Sequence, residues 1–310
     1  MNAERQIAQH LLRSNGLDAG SIELEPIHGG RSGALTYVVR SAGQAWVLRV
    51  QPEERFALHF SQLAELQRLA ATLGLAPQLI AVDRERRAAL SEYITSVPLL
   101  GALQSPAGPK LLEQLGRQLA ALHQLPQPSY LANRCPTERT VELLEELARS
   151  GPAFVRRAAE LARELPPGHN EAVCHLDLNP TNILFDGEQL RFIDWETAGL
   201  SDPGFDLATL ITLLLLDERA TAALLRGYES VTRAPSAERL ALARRTVCLG
   251  YGAEFLRLAG APAPDWPVDD LPGIAEAYGE IAAGHLDMST PAGQWRLGAA
   301  YLSGVLREDG

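Results

Sequence analysis

The sequence predicts an α+β protein of two lobes, a small antiparallel sheet with one helix followed by a larger, mainly helical part. Two observations carry this expectation. Between about residues 21 and 98, β-rich runs separated by turn signals surround one amphipathic stretch, and beyond residue 98 apolar residues recur at helical spacing. The one interruption of that helical pattern, "NILFDGEQLRFIDWE" at 182–196, reads as a hairpin turning at "DGEQ".

Element by element, "MNAERQIAQHLLRSNG" opens the chain as a short amphipathic helix without the apolar core of a signal peptide. "LTYVVRS" and "QAWVLRV" flank "AG" and predict a hairpin. In "FALHFSQLAELQRLAATLG" at 56–74, Phe56, Phe60, Leu63, Leu66, Leu69 and Leu73 lie near helical spacing, and Gly74 is a stop signal. "PQLIAVD" and "AALSEYI" predict two further strands. "TSVPLLGALQSPAGP" then reads as the connection between lobes, which places the boundary at 1–98 and 99–310. "KLLEQLGRQLAALHQLP" and "TVELLEELARSGPAFVRRAAELARELP" predict amphipathic helices, as does most of 203–305.

Composition narrows the function classes. The 310 residues suffice for a large core, and 46% hydrophobic with 21% charged residues is ordinary for a soluble globular protein. A formal net charge of -10 repels nucleic-acid phosphates and anionic lipid, and the densest basic run, "DRERRAA" at 83–89, carries its own acids. No nucleic-acid partner is expected. The longest apolar run, "LATLITLLLL" at 207–216, is too short to cross a bilayer, so no membrane insertion is expected either. Cys135, Cys174 and Cys248 form neither a metal pattern nor a disulfide framework, which favours the reducing cytoplasm.

Chemistry concentrates in one stretch. Asp177, Asn182, Asp194, Glu196, Asp202 and Asp206 fall within 30 residues. Carboxylates so gathered repel one another unless cations or donors offset them, and Mg²⁺ with its preference for hard oxygen ligands is one solution. An Asn and an Asp that share the ion leave a second Asp to accept a proton from an attacking hydroxyl. The bland alternative is an Asx-rich turn, since Asn-Pro and Thr-Asn suit turns without chemistry.

"HLDLNPTN" at 175–182 matches the order His-x-Asp-x-x-x-x-Asn of the kinase catalytic loop, and "FIDWE" at 192–196 adds an acid after a strand. Together with "GGRSGALTYVV", "WVLRV", "LGRQLAALH" and "DPGFDLA", these motifs resemble the aminoglycoside phosphotransferase and choline kinase family, small-molecule kinases with a bilobal protein-kinase-like fold. The "DWE" form is most similar to the branch of thiamine, choline and ethanolamine kinases.

The resemblance implies ATP and Mg²⁺ as co-substrate and cofactor. It implies Asp177 as catalytic base, Asn182 and Asp194 as metal ligands, and Arg49 as the cation on the nucleotide's phosphates. Gly30, Ser32 and Gly33 would cover the phosphates with backbone, and Glu92, Tyr93 and Ile94 would form the hinge that hydrogen-bonds adenine. The chain departs from the family pattern at two positions. Many relatives carry Asn where Gly33 stands. Many also pair the strand's cation with a helix Glu, where this chain has Leu63, with Glu65 and Gln62 as the neighbouring candidates for that pairing.

Other residues keep two readings. His175 is a proton carrier or, preferred, a neutral imidazole bracing the loop. Glu196 faces substrate or solvent. Trp195 reads as core. Asp202 before Pro203 reads as a helix N-cap, and Asp206 either complements that helix's dipole or anchors the catalytic loop. Tyr251, Phe255, Trp266 and Trp295 are core residues or a cation-binding aromatic wall.

The expected function is transfer of the γ-phosphoryl group to the hydroxyl of a small cationic molecule such as thiamine, choline or ethanolamine. An aminoglycoside or sugar-like acceptor is the alternative within the class, and a non-catalytic nucleotide-binding module is the alternative outside it. A protein kinase is disfavoured because only "WETAGLS" separates Asp194 from the next helix start, and a metal-dependent hydrolase would call for a His-rich set that the seven histidines do not form.

Overall fold

A computed structural model describes residues 2–27, 33–51, 59–169, 171–260 and 264–307. The chain begins with α1 (Asn2–Ser14), β1 (Glu23–Ile27), β2 (Leu35–Ser41), β3 (Gln44–Val50) and α2 (Phe60–Thr72). It continues through β4 (Leu79–Asp83), β5 (Ala88–Glu92), α3 (Leu99–Leu103) and α4 (Gly108–His123). Next come α5 (Pro136–Ala148), α6 (Ala153–Arg163), β6 (Ala172–Cys174), β7 (Ile183–Phe185), β8 (Leu190–Phe192) and β9 (Gly199–Ser201). The chain closes with α7 (Pro203–Leu213), α8 (Glu218–Glu229), α9 (Ala237–Ala259), α10 (Ile274–Ala282) and α11 (Pro291–Leu306). The expected α+β class is borne out: a five-stranded sheet and its helix precede a mainly helical part.

By packing, the chain groups into two compact units. One comprises Met1–Leu131, His175–Gly199 and Ala222–Thr232, and the other Ala132–Cys174, Leu200–Thr221 and Arg233–Gly310. The first therefore holds the sheet, α2, α4 and the β7–β8 hairpin.

Its sheet runs in the order β1-β2-β3-β5-β4, with each neighbouring pair antiparallel. The alternation of strand side chains gives β3 two jobs. Trp46, Leu48 and Val50 join Ala8, Leu11 and Leu12 of α1 in a core, whereas Arg49 and Gln51 point to the other face, into a cavity shared with Phe60, Leu63 and Ala64 of α2. Ala42 (φ 47°) and Gly43 (φ 77°) make the two-residue β2–β3 loop, and positive φ at both positions is the signature of a type I′ turn. At the end of α2, Gly74 at φ 70° stops the helix as expected, and Leu73 is its half-exposed cap rather than part of the buried stripe.

The first residue of that stripe, Phe56, lies outside the described residues, as do Gly30 and Ser32; α2 itself starts at Phe60. The stretch at 95–109, expected to connect two lobes, falls inside the first unit and contains the five-residue helix α3. Between α4 and α8 the backbones come very close: a Cβ on Gly116 would stand 2.0 Å from the carbonyl oxygen of Leu224.

The second unit is built on α5, α6, α9 and α11, whose Leu144, Phe154, Leu249 and Leu302 share one core. β6 and β9 pair in a second two-stranded ladder that sequence patterning does not predict. At the start of α7, Asp202 is the N-cap that its place before Pro203 predicts, accepting from the Gly204 N–H at 2.7 Å. Among the described residues no helix is long and apolar enough to cross a membrane.

The turn gives a direct check of backbone conformation. An L-residue other than Gly, Asn or Asp at positive φ costs about 1–2 kcal/mol, so Ala42→Asn is expected to stabilise the protein by about 1 kcal/mol. Urea unfolding of the two proteins measures it.

Candidate active site

The stretch that carries Asp177 and Asn182 leaves β6 through Cys174, whose thiol is pushed well up by burial and then by the charges of Asp206 and Asp202. His175 follows, fully buried. Its Nε2 donates to the carbonyl of Ile193 at 3.0 Å, its own carbonyl accepts from Thr197 Oγ1 at 2.9 Å, and its ring lies 4.7 Å from that of Trp195. That is the geometry of a brace. It ties the start of the Asp177 loop to the backbone that delivers Asp194.

Leu176 then turns through φ 64°. Positive φ is costly for a branched, bulky residue and persists only where surrounding bonds dictate it. The turn delivers Asp177, half-buried, between two amides: Asn179 Nδ2 donates to its Oδ1 at 3.1 Å and Asn182 Nδ2 to its Oδ2 at 2.9 Å. Asn182 also donates to the Asp177 main-chain carbonyl at 2.9 Å. Asn179 in turn caps the 3₁₀ turn Pro180–Asn182, accepting from the Thr181 N–H at 2.9 Å. The Asx-turn reading holds, and Asn179 is the residue that joins this turn to the carboxylate of Asp177.

The β7–β8 hairpin carries Asn182 and Asp194 to its open end, as its sequence predicts: Ile183 pairs with Phe192, and the Ile193 N–H donates to the Asn182 carbonyl at 3.0 Å. Both strands are docked by hydrogen bonds within the same unit. Phe192 N–H donates to Leu75 O at 2.7 Å, Val97 N–H to Phe185 O at 2.7 Å, and Gln118 Nε2 to Leu190 O at 3.0 Å. Asp194 sits at φ 66°, ψ 65°, like Leu176 a non-glycine residue in the left-handed region.

Arg49 meets this end from β3. Its Nη1 and Nη2 both lie 3.1 Å from Asp194 Oδ1, and it forms a second ion pair with Glu196. Glu196 is buried and faces this arginine across the cavity that both line, rather than open solvent. Neither neighbouring candidate on α2 takes that place: Gln62 Oε1 is spent on the His59 N–H at the helix start, and Glu65 is exposed. Contacts therefore run without a break from Asp177 through Asn182 and Ile193 to Asp194, Arg49 and Glu196.

Gly33, at φ 74°, adopts a conformation that suits glycine. Glu92 ends β5 with its N–H donated to Gln78 O at 2.8 Å, and Tyr93 follows beneath the guanidinium of Arg40, 5.4 Å from the ring centroid. Ile94 leaves the sheet after them. Asp206 is fully buried in the first turn of α7, in the second unit. Of the four aromatic candidates, Trp295 and Trp266 belong to the large helical core, while Tyr251 and Phe255 cluster with Tyr278 and Tyr301.

Comparison with known proteins fits this geometry. The family model described as "Phosphotransferase enzyme family" matches residues 23–241. The chain belongs to the phosphotransferase enzyme family. Protein LicA of Haemophilus influenzae is 49% identical over 55 residues, 18% of this chain and 21% of LicA, so the match spans about a fifth of that relative. A choline/ethanolamine kinase family protein from Mesorhizobium loti is 25% identical in structure-based alignment, with a TM-score of 0.62 over 96% of this chain and 99% of that one. A spectinomycin phosphotransferase solved with ADP and spectinomycin has a TM-score of 0.61 at 16% identity, over 81% of this chain and 86% of that one. The protein-kinase-like fold expected of the phosphotransferase family is the fold of this chain.

The brace of this phosphotransferase can be tested without chemistry. His175→Leu removes the donor to the Ile193 carbonyl, and an unsatisfied buried acceptor costs about 1–3 kcal/mol. A loss of that size in urea unfolding is expected.

Proposed function

We propose that this phosphotransferase is an ATP- and Mg²⁺-dependent kinase that moves the γ-phosphoryl group to the hydroxyl of a small cationic alcohol such as thiamine, choline or ethanolamine. The observation that carries the reading is the line of contacts from Asp177 through Asn182 to Asp194 and Arg49. Asp177 is the base: its carboxylate, held at both oxygens by Asn179 and Asn182, accepts the proton of the acceptor hydroxyl as that oxygen bonds to the γ-phosphorus and ADP departs.

The donor set supports a hard divalent cation. Both amide hydrogens of Asn182 go to Asp177, so what it offers a ligand is its carbonyl oxygen, and Asp194 follows Ile193, whose N–H is bonded to the Asn182 main chain. This line of contacts holds three carboxylates and one guanidinium, which faces two of them. Asn182 and Asp194 would hold Mg²⁺, which when bound supplies positive charge to the phosphates. Arg49 supplies the protein's own cation to them, and Gly30, Ser32 and Gly33 the backbone cover. Glu92 to Ile94 form the adenine hinge, with lobes divided near residue 98. The ADP held by the spectinomycin phosphotransferase supports the nucleotide.

Three features support a cationic acceptor. The chain has a net charge of -10, a choline/ethanolamine kinase family protein shares its fold over nearly its whole length, and its second unit contains a cluster of aromatic rings. Tyr251, Phe255 and Tyr278 are half-buried, with ring centroids 5.8, 6.0 and 6.4 Å from that of Tyr301. Tyr278 and Tyr301 share a hydroxyl hydrogen bond of 2.6 Å, and burial pushes the Tyr301 hydroxyl far above its ordinary range. Such rings stay neutral and can hold a cation at their faces. An aminoglycoside or sugar-like acceptor is the second reading, supported by the likeness to the spectinomycin enzyme.

Transfer of label from γ-³²P-ATP across a panel of thiamine, choline, ethanolamine and aminoglycosides tests the acceptor class, and label on none of the cationic alcohols would sink the reading. Asp177→Ala tests the class of protein: transfer is expected to fall by about 10²–10⁴-fold while ATP binding by calorimetry persists. ATP binding with no transfer in the unaltered protein would instead indicate a nucleotide sensor.

A further inference from the structure

Arg49 faces two carboxylates, and they differ in character. The Asp194 side chain is 29% exposed, like that of Arg49, whereas Glu196 is 7% exposed. A carboxylate taken out of water is strongly destabilising without a cation or donors, so Glu196 cannot readily give up its arginine. Asp194 can exchange the guanidinium for a cation or for water. α2 offers Arg49 no charge on its side of the shared cavity, which it lines with Phe60, Leu63 and Ala64.

We infer that Glu196 is a positioning residue that holds Arg49 from the buried side, so that Asp194 is released to a divalent cation while the guanidinium stays in place for the nucleotide. The inference rests on the functional reading above, in which Arg49 meets the phosphates and Asp194 the metal. It assigns Glu196 neither to substrate nor to the metal itself. Without its charge, Arg49 has Asp194 as its remaining acid in this line of contacts, and arginine and metal then compete for one carboxylate. The cost appears as weakened metal binding that depends on Arg49 being present.

Mn²⁺ titration of the protein–ATP complex, followed by electron paramagnetic resonance, reads this directly. ATP binding is measured alongside by calorimetry without divalent ions. Glu196→Gln is expected to weaken Mn²⁺ binding about tenfold, and to have no such effect in an Arg49→Met background. Metal-free ATP affinity is expected to hold or rise, because a negative charge has been removed. Leu63→Glu, added to Glu196→Gln, is expected to restore Mn²⁺ affinity: position 63 lines the cavity of Arg49, where the buried Gln51 Nε2 and Trp195 Nε1 are unspent donors among the described residues.

Unchanged Mn²⁺ affinity in Glu196→Gln overturns the inference. Equal weakening in the Arg49→Met background also overturns it, since Glu196 would then act on the metal. If Glu196→Gln does not fold, Glu196→Asp replaces it; a smaller loss that requires Arg49 supports the inference, and no loss overturns it. Failure of the unaltered protein to bind ATP removes the functional reading, and this inference with it.

Discussion

The candidate site depends on how the β7–β8 hairpin is fixed. A three-residue strand on each side has little stability of its own. Here each strand gives or receives main-chain hydrogen bonds outside the pair, from Phe192 to Leu75, from Val97 to Phe185 and from Gln118 to Leu190. Each is worth only about 1 kcal/mol net, but leaving one buried partner unpaired costs about 1–3 kcal/mol. That asymmetry specifies one register. With the register set, Asn182 and Ile193 must sit side by side, and Asp177 and Asp194 follow from their places next to them.

The ion pair of Arg49 with Asp194 is a consequence of this frame and does not create it. A half-exposed pair contributes about 0–1 kcal/mol. Its meaning is chemical: it joins a central strand of the sheet to the loop that carries the acids. The two left-handed residues, Leu176 and Asp194, flank the same loop. The strain at Leu176 persists because His175 and Thr197 tie that loop to its neighbours, and strain of this kind concentrates where function requires a fixed side chain.

Much of this was legible in the sequence, for local reasons. "AG" between two β-rich runs, Gly74 after an apolar stripe and "DGEQ" between short strands each encode a turn in adjacent residues. The five-residue separation of Asp177 and Asn182 is also local, and one 3₁₀ turn realises it. β6 and β9 were not legible, because three residues are too few to show a period. The left-handed Leu176 and Asp194 carry no glycine or asparagine signal. The pairing of Glu196 with Arg49 was not legible because the two lie 147 positions apart in the chain, and nothing local to either residue marks the pair. Asn179 had a signal, the Asn-Pro turn, whose second role only the fold reveals.

A phosphotransferase scaffold and a carboxylate held at both oxygens support the act proposed above, transfer of a phosphoryl group to an alcohol. ³¹P nuclear magnetic resonance of the protein with ATP, Mg²⁺ and choline, ethanolamine or thiamine tests that act most directly. The account predicts that a phosphoester resonance grows in step with the β-phosphate of ADP, one for one. Growth of inorganic phosphate alone, or an unchanging ATP spectrum with every acceptor, would contradict it.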